Sequence, residues 1–191
     1  MNTVYTLRHE KRPLANTFFV SLTEMGKAGA QELGHTLEHA NIDIIFCSPF
    51  LRTIQTILPY CIRTNTKINV EYSVYEYIHQ DCFTIDNYSH SHYELYTTHP
   101  QIEHYVNADY NSFTQLSDIV YNEQISNVLD RVIPFITHLE SYAGKNILIV
   151  AHGTILGVIN KYITQGMLYT TEDELAQNYP KMGVIQKLDP I

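Results

Sequence analysis

Five chemically reactive side chains stand just beyond predicted β-strands of this 191-residue chain: Arg8, His9, Arg52, Glu76 and His152. Guanidinium groups bind phosphate oxygens in pairs and stay charged at every working pH. A neutral imidazole is a competent nucleophile toward phosphorus, and a second imidazole can donate a hydrogen bond to developing charge. A carboxylic acid can protonate a leaving oxygen and then activate water. These groups predict phosphoryl transfer without a metal or other cofactor, because arginines would supply the charge that Mg²⁺ supplies elsewhere.

The elements that must position these side chains alternate between strand and helix. Patterning predicts strands at about 3–7, 42–47, 68–72, 146–150 and 184–188, and helices at about 21–40, 50–62, 119–142 and 154–163. This order indicates one α/β domain over residues 1–191 with a mostly parallel sheet. Ligands bind beyond the carboxyl ends of the strands in such sheets, so the reactive side chains are expected to converge there.

Local signals give the expected ends of the helices. Ser21 and Glu24 have the spacing of a capping box, although Thr23 could cap the first helix instead. Pro59 is expected to kink or end the second helix, and Pro134 to kink the third.

Residues 79–118 lack clear periodicity and are rich in His, Tyr, Asn and Asp. We interpret this stretch as an inserted lid rather than a linker, because its aromatic side chains can still pack. His90 and His92 have a spacing that can bind zinc, but no matching Cys or Asp pattern accompanies them. A solvated or substrate-facing lid is therefore favoured over a metal site.

Composition excludes several classes of protein. The net charge of −8 disfavours general binding to nucleic acids or anionic membranes, but a local arginine cluster can still hold a small anion. The sequence contains no apolar run of membrane-spanning length and no signal-peptide pattern. The three cysteines lack CxxC spacing, which fits a reducing compartment, so we predict a cytoplasmic protein.

Four motifs in order resemble the histidine phosphatase superfamily, which has the phosphoglycerate-mutase-like fold. They are Leu7-Arg8-His9, Ser21 to Gly26, Cys47 to Thr56, and Val150-Ala151-His152-Gly153. The resemblance implies a three-layer α/β/α fold and a metal-independent, acid-type phosphomonoesterase acting on small-molecule or protein phosphomonoesters. It implies that His9 is the phosphorylated nucleophile, that Glu76 is the general acid and base, and that Arg8, Arg12, Arg52 and His152 bind the phosphate.

One residue departs from the family pattern. The family tripeptide is Arg-His-Gly, but Glu10 occupies the third position here. Its side chain either points away and pairs with Lys11 or another cation, or weakens phosphate binding. The first outcome is favoured because the other pocket residues are present. The second would leave a weak enzyme or an interaction module. We expect the wild type to hydrolyse an aryl phosphate and Glu10→Gly to hydrolyse it faster.

Other assignments stay open at this stage. Glu71, Asp81 or Glu94 could replace Glu76 as the acid and base. A mutase that returns the phosphoryl group to a rearranged substrate is the alternative enzyme. Other phosphate chemistries are disfavoured, since the chain lacks the Cys-x5-Arg spacing, the Gly-x4-Gly-Lys-Ser/Thr loop and the Gly-x-Ser-x-Gly elbow.

Overall fold

A five-stranded sheet forms the centre of the protein in a computed structural model, which describes residues 2–166 and 172–188. The strands are β1 (Thr3–Arg8), β2 (Ile44–Cys47), β3 (Ile68–Val70), β4 (Asn146–Ala151) and β5 (Ile185–Leu188). They lie in the order β3-β2-β4-β1-β5, in which β5 alone among these strands runs antiparallel to its neighbour. The predicted α/β class with a mostly parallel sheet is confirmed.

Helices cover both faces of this sheet. They are α1 (Glu24–Glu38), α2 (Leu51–Thr64), α3 (Ile125–His138), α4 (Gly153–Gln165) and α5 (Glu172–Ala176). Alternate residues of a strand point to opposite faces, so Leu148 and Val150 pack in the core with α1 and α2. Ile147 and Ile149 pack in a second core with α3 and α4. Two cores on one sheet give the expected three layers.

Helix α1 begins after Thr23, the alternative N-cap residue. The Thr23 side chain accepts a hydrogen bond from the Gly26 amide at 3.1 Å. Ser21 instead donates to the Gln55 side chain at 2.9 Å, so the Ser21 capping box is wrong. Gln55 lies on α2, so the spacing of Ser21 and Glu24, which suggested the capping box, gives no information about this long-range partner.

Two helix boundaries differ from the sequence prediction. Helix α2 continues through Pro59 to Thr64. Its packing against α1 at Gly34, where an added Cβ would lie 3.3 Å from the Tyr60 amide nitrogen, keeps the last turn in place. Helix α3 begins at Ile125 and not at residue 119. Asn122 has a left-handed φ of 58°, which interrupts a right-handed helix before Ile125.

Residues 79–118 fold into short 3₁₀ helices rather than an α-helix. These are Ile85–Asn87, His92–Thr97, Pro100–Tyr105 and Leu116–Asp118. The stretch packs into the core beside α1 and α2 through Phe83, Leu95 and Ile102, which are all buried. Its apolar side chains therefore pack as expected.

Candidate active site

The site lies at the carboxyl ends of the three central strands. Strand β1 ends at Arg8, and the next amide, of His9, donates to Ala151 O at 3.1 Å. Ser48, just after β2, donates its amide to Val150 O at 3.0 Å. His152 follows β4 directly and is the N-cap residue of α4. Pairing of parallel strands in register therefore brings residues from three distant segments to one edge.

The His9 ring is fixed by the backbone. Its Nδ1 lies 2.8 Å from the Glu10 carbonyl oxygen, which only accepts, so Nδ1 carries the proton and Nε2 keeps its lone pair. The residue is 1 % exposed. Burial lowers the pKa of His9 to about 2, and the neighbouring His152 and Arg52 act in the same direction. His9 is therefore a neutral imidazole at ordinary pH.

His152 is held at both ring nitrogens. Nε2 lies 2.8 Å from Ser48 Oγ, and Nδ1 lies 3.0 Å from Glu76 Oε2. Burial lowers the pKa of His152 to about 4, although the nearby Glu76 acts to raise it. A neutral His152 that donates Nδ1–H to Glu76 accepts the Ser48 hydroxyl proton at Nε2. Sequence reasoning left Ser48 out of the site, although its place at the end of β2 is the signal that would have included it.

The buried Arg52 and the partly buried Glu76 form an ion pair beside the two histidines. Arg52 Nη2 lies 3.1 Å from Glu76 Oε2 and 3.3 Å from His152 Nδ1. Burial alone raises the pKa of Glu76, but His152 and Arg52 outweigh it, and the net pKa lies below its ordinary value. Because His152 is neutral at pH 7, we attribute the ionised state of Glu76 mainly to Arg52. Burial lowers the pKa of Arg52 to about 10, against the opposing effect of Glu76.

Arg8 and Arg52 present donors that the protein does not use. The Nε–H groups of both are buried and have no hydrogen-bond partner among the described residues. Arg8 is otherwise held by Pro180 O at 3.0 Å and lies over the Tyr179 ring. Leaving a buried donor unsatisfied costs ~1–3 kcal/mol, and more for a charged group. Two such donors beside the histidines suit an anion with several acceptor oxygens.

Arg12 lies at the edge of this group and is held by its own loop. Nη1 donates to Pro13 O at 2.8 Å and to Ala15 O at 2.7 Å, and Nη2 donates to Asn16 Oδ1 at 2.8 Å. Burial is the main cause that lowers the pKa of Arg8 and of Arg52, and the charge of Arg12 adds to this effect at a distance. Its role in phosphate binding stays a prediction.

Glu10 points away from the reactive side chains. The residue is 7 % exposed, and its carboxylate lies in a slot between Gly29 of α1 and Gly183, where a Cβ on either glycine would collide with it. Oε2 accepts the Lys11 amide at 3.1 Å. The partner is thus a backbone amide and not the cation that was expected. The φ of Glu10 is not positive, so the turn does not need glycine.

The alternative carboxylates lie elsewhere. Glu71 is buried and accepts the Ser112 hydroxyl at 2.8 Å and the Phe113 amide at 2.9 Å. Glu94 pairs with His90, and Asp81 is exposed beside His79. Glu76 is the candidate that contacts both Arg52 and His152.

Among the described residues, one group has a composition that suits a metal. Ligand atoms of His9, Glu76 and His152 all lie within 4.8 Å of one another. However, the Arg52 guanidinium contacts two of these three side chains and would repel a dication, so the cluster fits an anion better. Within residues 79–118, His90 contacts Glu94 and Asp86 O, and His92 Nδ1 contacts the Tyr72 hydroxyl, so these histidines have protein partners.

Comparison with known proteins identifies the family. A profile of the histidine phosphatase superfamily (branch 1) matches residues 7–179. The chain belongs to the histidine phosphatase superfamily. The resemblance seen in the four motifs is thereby confirmed, and the matched range includes every candidate site residue.

Several solved structures of phosphatases share the fold of this family member. Alpha-ribazole phosphatase from Shigella flexneri is 18% identical with a TM-score of 0.67, covering 98% of this chain and 90% of its own. Ecdysone phosphate phosphatase from Bombix mori, in complex with tungstate, is 15% identical with a TM-score of 0.70, covering 98% and 88%.

A third relative is mycobacterial glucosyl-3-phosphoglycerate phosphatase with inorganic phosphate, 15% identical with a TM-score of 0.68, covering 99% and 90%. Comparison with curated protein sequences gives no match. Within residues 2–166 and 172–188, no helix is both long and apolar enough to cross a bilayer.

Proposed function

We propose that this protein is a metal-independent phosphomonoester hydrolase that acts through a phosphohistidine on His9. One observation carries the proposal: a neutral imidazole, fixed by the Glu10 carbonyl, lies beside two arginines with unsatisfied buried donors. A nucleophile and two unused cationic donors therefore lie side by side. The phosphate or tungstate named with two structural relatives is consistent with an oxyanion site in this fold.

In the first step, His9 Nε2 attacks phosphorus as the bond to the leaving oxygen breaks. Arg8 and Arg52 hold the phosphoryl oxygens, and His152 turns its Nδ1–H from Glu76 to one of them once Glu76 is protonated. Glu76 then gives its proton to the leaving alcohol. In the second step, Glu76 takes a proton from water as the water oxygen attacks phosphorus and the phosphorus–nitrogen bond breaks. Inorganic phosphate and neutral His9 are then restored.

Substrate binding prepares Glu76 to act as the acid. In the free protein Arg52 holds this carboxylate ionised through a contact of 3.1 Å. A phosphate dianion bound to Arg52 would neutralise that guanidinium and add negative charge nearby. Both effects raise the pKa of Glu76, so the carboxyl group takes up the proton that it later donates.

The leaving group would contact the aromatic side chains around the site. Phe19 packs on His90 with ring centroids 4.8 Å apart, and Tyr77, next to Glu76, stacks on His79 at 5.6 Å. We propose that residues 79–118 form one wall of this leaving-group side. Small-molecule phosphate esters are the substrate class, as the names of the structural relatives suggest.

The alternatives make different predictions for the same assay. A mutase would return the phosphoryl group from His9 to an organic acceptor rather than to water. An interaction module would hydrolyse nothing. The position of Glu10, turned into its slot and away from His9, argues against the module.

Hydrolysis of aryl phosphates in the presence of a chelator tests the proposal. Wild-type protein should release phosphate, and His9→Asn should not. The Glu76→Gln substitution should lower the turnover of phenyl phosphate by about 10²–10⁴-fold, because the phenolate leaving group needs a proton. With dinitrophenyl phosphate, whose leaving group needs no proton, the rate of the first turnover should fall much less. Equal activity of wild type and His9→Asn would exclude the nucleophile.

A further inference from the structure

The acid and base candidate stands on a segment without regular structure. Glu76 follows the 3₁₀ helix Tyr72–Val74, and residues 75–79 form neither helix nor strand. Catalytic groups must be held to about 0.5 Å, and loops hold them less well than helices or strands. Some other part of the protein must therefore hold this segment.

Arg131, on α3, contacts the segment with its guanidinium. Nη1 donates to Ser73 O at 2.7 Å and Tyr75 O at 3.0 Å, and Nη2 donates to Glu76 O at 3.2 Å. Nε and Nη2 also donate to the two carboxylate oxygens of Glu123, at 2.9 and 3.1 Å. All five N–H donors of the guanidinium are thus used.

Glu123 completes the arrangement from the other side. Its Oε2 accepts the Ile78 amide at 2.9 Å, and its own amide donates to Ile78 O at 2.7 Å. Both backbone groups of Ile78 are therefore bound by Glu123. Arg131 therefore holds Glu76 at its own carbonyl and at two residues before it, and Glu123 holds Ile78, two residues after it.

We infer, on the basis of the proposed function, that Arg131 and Glu123 are positioning residues for Glu76. Arg131 is 7 % exposed and Glu123 is 1 % exposed. A buried ion pair often adds little stability compared with apolar residues of similar volume. This pair instead fixes four backbone carbonyls and one amide within residues 73–78, so we assign it to the geometry of the acid and base.

Arg131→Lys tests the inference because it keeps the charge but has three donors instead of five. Turnover of phenyl phosphate should fall by up to about 100-fold, the effect of a misplacement of about 1 Å. In a Glu76→Gln background the same substitution should have almost no further effect. Arg63→Lys is the matched control, because Arg63 forms an exposed pair with Glu38.

A readout without activity keeps this test separate from the proposed function. The ¹⁵N signal of His152 Nδ1 reports its contact with Glu76. Arg131→Lys should change that signal in the same way as Glu76→Gln does. Val132→Ala, a buried neighbour on the same helix, should leave it unchanged while lowering stability. If Arg131→Lys does not fold, the double variant Arg131→Met/Glu123→Leu removes both buried charges and takes its place.

The positioning role and the proposed function are refuted by different results. An unchanged His152 signal, or an equal loss of turnover in the wild-type and Glu76→Gln backgrounds, overturns the positioning role. A wild-type protein that hydrolyses no aryl phosphate overturns the proposed function, and the His152 signal then still decides whether Arg131 positions Glu76.

Discussion

The slot that holds Glu10 makes a quantitative prediction about Gly29. A methyl group added at Gly29 would lie 2.5 Å from Glu10 Oε1 and 2.7 Å from Cδ. The carboxylate has no room to move toward Gly183, where an added Cβ would also collide with it. Overpacking of this kind costs about 1–3 kcal/mol. The gain from replacing a helical glycine by alanine, about 1 kcal/mol, offsets only part of this cost.

The effect of Gly29→Ala on stability should therefore depend on the residue at position 10 and change sign when Glu10 is removed. In the wild type it should lower the free energy of unfolding by up to about 2 kcal/mol, the overpacking cost less the helix gain. In a Glu10→Ala background the collision is absent, so it should raise stability by about 1 kcal/mol. The coupling energy of the cycle is then about 1–3 kcal/mol.

Urea unfolding of the four proteins measures this coupling through linear extrapolation. Ala28→Gly, exposed on the same helix, is the control and should cost about 1 kcal/mol in both backgrounds. A coupling below about 0.5 kcal/mol for Gly29→Ala would mean that Glu10 does not fill the slot. Turnover of Glu10→Ala should stay close to wild type, because the site uses the carbonyl of residue 10 and not its side chain. The faster turnover that the sequence alone predicts for Glu10→Gly is accordingly no longer expected.

Three further predictions concern single side chains. Ser48→Ala should lower kcat by about 10- to 100-fold with KM little changed, because an unsatisfied buried nitrogen on His152 costs ~1–3 kcal/mol; an unchanged kcat would remove Ser48 from the site. Arg52→Lys should weaken competitive inhibition by phosphate by about 10- to 100-fold, since it loses the paired donors, whereas Arg63→Lys should not. Burial lowers the pKa of His92 from 6.5 to about 4, so the unfolded chain binds the proton first and stability is lost as pH falls below 6.5. Between pH 7.5 and 5, the free energy of unfolding should therefore fall by about 2 kcal/mol less in His92→Gln than in wild type. Equal losses of unfolding free energy would contradict the buried neutral state of His92.

The fold and the placement of the reactive side chains follow from local patterns in the sequence. Strands β2 and β4 are nearly continuous apolar runs, as expected for strands buried on both faces. The rule that functional groups follow the carboxyl ends of such strands then places His9, Ser48 and His152 together.

Long-range contacts explain what local patterns missed. The slot for Glu10 is built by Gly29 and Gly183, from two separate parts of the chain. Helix α2 does not end at Pro59, one of the two outcomes expected there, because packing against α1 supports the following turn. The contacts of Arg131 with the Glu76 segment likewise depend on tertiary structure, since an arginine on an amphipathic helix has no local mark of burial.

Trapping of the phosphorylated enzyme tests the central claim most directly. Glu76→Gln should accept a phosphoryl group from dinitrophenyl phosphate but lose it slowly, because the base that activates water is missing. Rapid quenching should yield one acid-labile phosphoryl group per chain, located on His9 by mass spectrometry and absent from the His9→Asn variant. Turnover by wild type with no such label in Glu76→Gln, or a label on another residue, would contradict a phosphohistidine mechanism at His9.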